Sequence, residues 1–298
     1  MKTPRRTKFQ KYTGFLSWIL LGTGIPTLHA EYQRIVTIGG AATEIVFALE
    51  EGASVVATDL SSIYPPEARE LPMVGYVRNI SPEGVLSMEP DLVIATGALG
   101  PPTARTMMER LDIATIWLPD LKSPEDLHLS MRKVAEELDK SALAEELIQL
   151  VNLDLAETAK KSSKWPEPKP KVLFLLEPPG PATSGMGGGK DSKADALITL
   201  SGGINAASGF SGFKPVSSES LVSMNPDVIL IGQSDRHGGS PESIQAMIKN
   251  PALAGVGAIR ADAVYAVPLD DLSFGPRLGE AAVRWNELIA RTAAATKD

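Results

Sequence analysis

The sequence predicts an α/β protein of two Rossmann-like lobes joined by one long helix, with a ligand cleft between the lobes. Three observations carry this. The segment Ser81–Ala95 recurs 136 residues later as Ser217–Ile231, with six of fifteen positions identical and most others exchanging one aliphatic for another. In both copies a short helix with an early Glu is stopped by Pro-Asp and followed by an aliphatic run, the pattern of a turn into a buried parallel strand. Strand-like runs alternate with helical segments in both halves, and Ser123 to about Ser163 reads as helix almost throughout, with no Pro or Gly after Pro124.

Taken in order, strands are predicted over Arg34–Ile38, Ser54–Thr58, Leu92–Thr96 and Thr115–Leu118 in the first half, and over Lys171–Leu176, Val228–Ile231 and Val264–Val267 in the second. Leu143–Lys161 is the candidate for the joining helix, and a single stiff helix restricts hinge motion. Trp165-Pro166-Glu167-Pro168-Lys169-Pro170 then leads in extended form to the second lobe. The predicted organisation is a signal peptide over 1–30, a first lobe over 31–140, a linker helix over 141–165 and a second lobe over 166–298. Open α/β sheets bind ligands beyond the carboxyl ends of their strands, so the architecture favours a binding protein. Gly185-Met186-Gly187-Gly188-Gly189-Lys190 fails as a phosphate loop, because Asp191 stands where a Ser or Thr is required. It reads instead as a mobile loop at the cleft mouth.

A chain of 298 residues with 43% hydrophobic content is long enough for genuine cores. Its start combines Lys2, Arg5, Arg6, Lys8 and Lys11, a mainly apolar stretch from Gly14 to Pro26, and the small residue Ala30, the layout of a secretory signal cleaved after Ala30. The apolar stretch is shorter than the roughly 20 residues a membrane span needs. With those five cations removed, 24 Lys and Arg face 36 Asp and Glu, a net charge of −12 that argues against nucleic-acid or anionic-membrane binding. There is no cysteine, hence no disulfide and no lipid-modified cysteine. These features imply a soluble monomer in the periplasm.

The candidate chemistry lies in Gly75-Tyr76-Val77-Arg78. In extended backbone Tyr76 and Arg78 share a face, and a cation beside a phenol favours the phenolate. Phenolate is a hard oxygen donor suited to ferric iron, and tyrosine is a known axial haem ligand. His29 leaves with the signal, His128 is expected on a helix surface and His237 in a Gly-rich loop where a second axial contact is conceivable; three scattered imidazoles make no metal cluster.

Gly39-Gly40-Ala41-Ala42-Thr43-Glu44-Ile45, Tyr64-Pro65-Pro66-Glu67-Ala68, Gly75-Tyr76-Val77-Arg78, Ser81-Pro82-Glu83-Gly84, Gly202-Gly203-Ile204-Asn205-Ala206-Ala207 and Phe274-Gly275-Pro276-Arg277 together resemble the haem-binding periplasmic proteins of bacterial haem-uptake ABC transporters. These belong to the helical-linker class that also contains cobalamin and ferric-siderophore binders. The resemblance covers residues 34–295. It implies haem as the transported ligand, Tyr76 as the iron ligand, and Arg78 as support for the phenolate or a propionate. It also implies a second-lobe basic residue, for which Arg236 is the first candidate and Arg277 the second. Where the family commonly has Tyr this chain has Phe213, which keeps an apolar wall for the porphyrin but no hydroxyl. Glu83 and Glu219, at equivalent places in the repeat, are implied to dock on the two subunits of an inner-membrane permease that works with an ATPase. The alternatives are a cobalamin or ferric-siderophore carrier of the same class and, from another class, an exported α/β enzyme. Against the enzyme stands the absence of a Gly-x-Ser-x-Gly elbow, a zinc motif or a cysteine nucleophile.

Overall fold

The computed structural model describes residues 32–110, 113–180, 183–234 and 238–295, and residues 31–298 form one compact unit. The expected signal peptide lies outside the described residues. The first lobe runs β1 (Ile35–Ile38), α1 (Gly40–Ala48), β2 (Val55–Ala57), the short hairpin β3 (Gly75–Tyr76) and β4 (Asn79–Ile80), α2 (Pro82–Leu86), β5 (Leu92–Ala95), α3 (Pro102–Glu109) and β6 (Ala114–Trp117). Its main sheet has the order β2-β1-β5-β6 and is parallel throughout. Two helices follow, α4 (Pro124–Glu137) and α5 (Ser141–Ser162).

The second lobe contains β7 (Lys171–Glu177), β8 (Gly185–Gly188), α6 (Lys193–Leu200), β9 (Ile204–Asn205), β10 (Phe213–Val216), α7 (Ser218–Met224), β11 (Val228–Gln233), α8 (Pro241–Ile248), α9 (Gly257–Arg260), β12 (Val264–Pro268) and α10 (Leu278–Ala295). Its sheet has the order β10-β8-β7-β11-β12, with β9 also pairing β7; β7, β11 and β12 are parallel, whereas β8 and β10 are antiparallel. Gly185–Gly188, expected as a mobile loop, is therefore a strand. Its backbone passes so close to β7 that a side chain at Gly185 would meet the Glu177 carbonyl at 2.3 Å. Glycine here serves close approach within a sheet rather than mobility.

The repeat in sequence is a repeat in structure. Ser81 caps α2 by accepting from the Gly84 amide, and Ser217 caps α7 by accepting from the Ser220 amide, both at 3.1 Å. Glu89 and Asn225, which correspond, both take left-handed backbone, with φ of 48° and 42°. The Asp that follows fastens the neighbouring strand in each lobe. Asp91 accepts from the amides of Gln33 and Arg34, and Asp227 from that of Lys171. Pro-Asp thus ends a helix and sets the register of the first parallel pair twice over.

Alternation along the central strands distributes the core. Leu92, Ile94, Val172, Phe174, Val228 and Leu230 join one apolar cluster that runs through α4, α5 and α10 and spans both lobes. Val93 and Ala95 face a separate first-lobe cluster under the β3–β4 hairpin, while Leu173, Leu175, Ile229 and Ile231 face a second-lobe one. The helical stretch is broken where no Gly or Pro announced it: α4 starts with a capping box of Ser123 and Asp126, and Asp139 turns the chain into α5 with a φ of 55°. His128 also departs from expectation. It is half-buried, its Nε2 is buried without a partner, and burial followed by the field of Arg132 pushes its pKa down, so it is neutral rather than a surface charge.

Candidate functional site

Tyr76 and Arg78 flank Val77 on the β3–β4 hairpin; both are exposed, Tyr76 at 44%, while Val77 is buried in the cluster beneath. The alternation aims phenol and guanidinium outward together. Gly75 has a φ of 125°, a conformation that favours glycine, and a side chain there would meet the Asn79 carbonyl at 3.0 Å. No carboxylate among the described residues pairs with Arg78.

A buried carboxylate holds this hairpin in place. Asp59, 1% exposed, accepts from the amides of Gly39 (2.7 Å), Ser61 (2.9 Å) and Val77 (3.1 Å) and from the hydroxyls of Ser61 and Ser62 (2.6 and 2.8 Å). Ser62 is bonded to Thr43, and Thr43 to Thr37, at 2.7 and 2.8 Å. The Gly39-to-Thr43 motif is thereby tied to the segment bearing Tyr76. Gly39 takes a φ of 100° and has Thr96 where a side chain would go. On the other side the Gly100 amide donates to the Val77 carbonyl at 2.8 Å. Such support fixes where the exposed Tyr76 and Arg78 side chains stand.

At the floor between the lobes, Glu44 of α1 is 3% exposed and takes a bidentate contact from Arg277, Nε–Oε2 3.1 Å and Nη2–Oε1 3.0 Å. Arg277 also bonds Asp270 at 2.7 Å, and its guanidinium carbon lies 3.4 Å from the centre of the Tyr64 ring. Burial drives the Glu44 carboxyl above its ordinary range, only partly offset by Arg277. For Arg277, burial opposes the charge, but Glu44 and Asp270 outweigh it and hold the pKa above normal. The resemblance makes Arg277 a candidate second-lobe contact to the ligand; the structure instead gives its guanidinium two carboxylates and an aromatic face.

Lys193 at the start of α6 is the residue that sequence reasoning missed. Part-buried, it donates to the Ser273 carbonyl at 3.0 Å and lies 5.9 Å from the Phe274 ring centre. Burial lowers its pKa to about 8; Asp120 and Glu44 oppose the shift, while Lys122 and Arg78 add to it. An amine whose folded pKa lies below its unfolded one destabilises the fold below about pH 8, and the penalty fades as pH rises towards 10.5. Lys193→Met is thus expected to stabilise the protein at pH 7 by on the order of 2 kcal/mol, with the gain shrinking at pH 10. Paired thermal melts at the two pH values measure this, and a gain independent of pH would exclude the cause.

Phe213 on β10 packs edge-on to Phe174, ring centres 6.4 Å apart, and Phe174 in turn stacks on Trp285 at 5.5 Å, so its ring serves the second-lobe core. Arg236 and His237 lie outside the described residues. Glu83 and Glu219 are exposed in the first turns of α2 and α7. Leu86 and Val222, three residues on at matching places in the repeat, are exposed apolar side chains at 40% and 44%. No cluster of three or more His, Cys, Asp or Glu suited to a metal occurs among the described residues.

The family profile described as periplasmic binding protein matches residues 35–270. Among solved structures, the chain is similar to the periplasmic haem-binding protein RhuT of Roseiflexus sp. RS-1, at 33% identity, TM-score 0.77 and coverage of 88% of this chain and 99% of that one. It is similar to the periplasmic haem-binding protein BhuT in complex with two haems, at 31% identity, TM-score 0.76 and coverage of 87% and 98%. Among sequences, the vitamin B12-binding protein of Pectobacterium atrosepticum is 26% identical over 227 residues, covering 73% of this chain and 78% of that one.

Proposed function

The chain belongs to the periplasmic binding protein family, the substrate-binding components of ABC transporters, and from that premise we propose that it carries haem to an inner-membrane importer. The observation that supports haem is the hairpin on which an exposed Tyr76 stands beside Arg78 over a buried Asp59 anchor. Tyr76 would donate a phenolate oxygen to ferric iron, and Arg78 would stabilise that oxygen or pair with a propionate. The likeness to RhuT and BhuT supports the same ligand. Nothing catalytic is required of the chain.

Cobalamin is the second reading, favoured by the vitamin B12-binding relative. Adding haemin, and separately cyanocobalamin, to the purified apo protein tests both. Haemin is expected to give a Soret band with ferric-tyrosinate charge-transfer features at one equivalent or more, and cyanocobalamin no measurable binding. The opposite pair of results would replace haem by cobalamin.

Export through residues 1–30 and cleavage after Ala30 belong to this proposal, and amino-terminal sequencing of the periplasmic protein tests them. Docking belongs to it as well. Glu83 and Glu219 are carried on equivalent turns of the two lobes, which suits a permease whose two subunits present matching basic patches. Charge reversal places like charges in contact. Glu83→Lys and Glu219→Lys are each expected to weaken docking at least about tenfold and to cut ATP-driven uptake into vesicles, with haem affinity in solution unchanged. Full transport by the double reversal would eliminate the docking role.

A further inference from the structure

Between the two copies of the repeat, side-chain identity differs more than exposure does. From Glu83 to Glu89 and from Glu219 to Asn225 the order is the same at every position: exposed, half-buried, buried, exposed, exposed, half-buried, exposed. Val85 and Leu221 point inward, into the first-lobe and second-lobe clusters. Leu86 and Val222, one residue on, turn outward at 40% and 44% exposure. Three and four residues apart, Glu83, Leu86 and Ser87 share one face of α2 and its C-cap, and Glu219, Val222 and Ser223 the same face of α7. Gly84 and Glu89 stand against Ser220 and Asn225, so these positions differ, yet the acid, the aliphatic and the serine of the outward face occur in both copies.

A single exposed aliphatic is ordinary on a protein surface. Neither helix needs this one for its own placement, since Ser81 and Ser217 cap the first turns and Val85 and Leu221 supply the inward contact. The same acid and aliphatic shown on equivalent turns of two lobes match a partner that itself presents one surface twice. At such a contact a carboxylate on the rim draws in a basic partner, and the aliphatic beside it loses water once the partner is seated.

We propose that Leu86 and Val222 are apolar anchors, each seating its lobe in an aliphatic-lined depression on one membrane subunit of the importer, beside the basic group that faces Glu83 or Glu219. This rests on the docking reading above. The glutamates then govern the rate of encounter and the aliphatics the rate of release.

The test follows binding of the haemin-free protein to the permease–ATPase complex in nanodiscs at about 0.1 M and about 1 M salt, between which the screening length falls from about 10 Å to about 3 Å. Leu86→Gln combined with Val222→Thr, close to native in size, is expected to speed dissociation about tenfold at both salt concentrations. Association, melting temperature and haemin affinity should stay as in the parent. Glu83→Lys should slow association at low salt and much less at high salt. Leu86→Met with Val222→Ile, still apolar, should dock as the parent does. Parent-like dissociation of the Gln and Thr variant, with Glu83→Lys still impaired, would overturn the anchors and leave the docking glutamates standing. A loss in that variant that vanishes at high salt would overturn them too. Parent-like docking by every variant, the double glutamate reversal included, would overturn both the anchors and the docking face.

Discussion

Tyr76→Phe is expected to weaken ferric haem binding by more than about 100-fold and to abolish the tyrosinate charge-transfer features. Loss of an outer partner to a metal ligand typically costs about 10- to 100-fold, and here the bond to iron itself would go. The substitution removes one hydroxyl oxygen from an exposed side chain and leaves the ring, so the hairpin should be unaffected: its anchors are the Val77 amide on Asp59, the Val77 carbonyl on Gly100 and the Val77 side chain in the core. Unchanged melting with lost colour is therefore the expected pair of observations. An unchanged haem spectrum in Tyr76→Phe would remove Tyr76 from the site. Asp59→Asn provides the complementary result, because it weakens the acceptor for three amides and two hydroxyls and should lower both stability and haem affinity. The contrast between Tyr76→Phe, which should alter affinity alone, and Asp59→Asn, which should alter both, separates ligation from the positioning of the hairpin.

How much of this was legible in the sequence depends on whether the cause was local. The seven predicted strands all form, because buried parallel strands are continuous aliphatic runs and Pro-Asp marks where two of them begin. The repeat, the long helix and the Gly-Tyr-x-Arg hairpin are likewise written in neighbouring residues. Asp59 was not legible: its five donors come from Gly39, Ser61, Ser62 and Val77, and no local pattern says that one carboxylate will collect them. Strand β8 was hidden because four residues containing three glycines read as a loop until the closeness of β7 is known. Lys193 left a faint signal, a lysine at a helix start, and its surroundings depend on Ser273 and Phe274, the first of them 80 positions away. Arg277 was singled out for its motif, but its role depends on Glu44, 233 positions away.

Arg277→Met is expected to be the most destabilising single change at the lobe interface. It strips the cation from Glu44 and Asp270 together, and breaking a buried pair by removing one partner costs about 3–5 kcal/mol, roughly a 10 °C fall in Tm for a chain of this size. Glu44→Gln should cost far less, about 1 kcal/mol, since the amide oxygen can still accept from Arg277 and Asp270 still balances the charge. The double variant should lose less than the sum of the singles, because the uncompensated carboxylate is then absent. The pH dependence has a definite sign. Burial already raises the Glu44 pKa, and removing Arg277 removes the largest influences that oppose this, leaving the hydrogen bond from Ser273 against burial and the charge of Asp270. The folded variant then binds a proton that the unfolded chain releases above its ordinary carboxylate pKa, so stability falls as pH rises through that window and is partly recovered near pH 5. Thermal melts of the four proteins at pH 5 and pH 7 test both asymmetry and sign. Equal losses in the two singles with no pH dependence would mean that the cluster only fills space. A loss of haem affinity with an unaltered Tm would return Arg277 to the ligand, whereas instability with retained affinity in the folded fraction assigns it to holding α1 against the loop before α10.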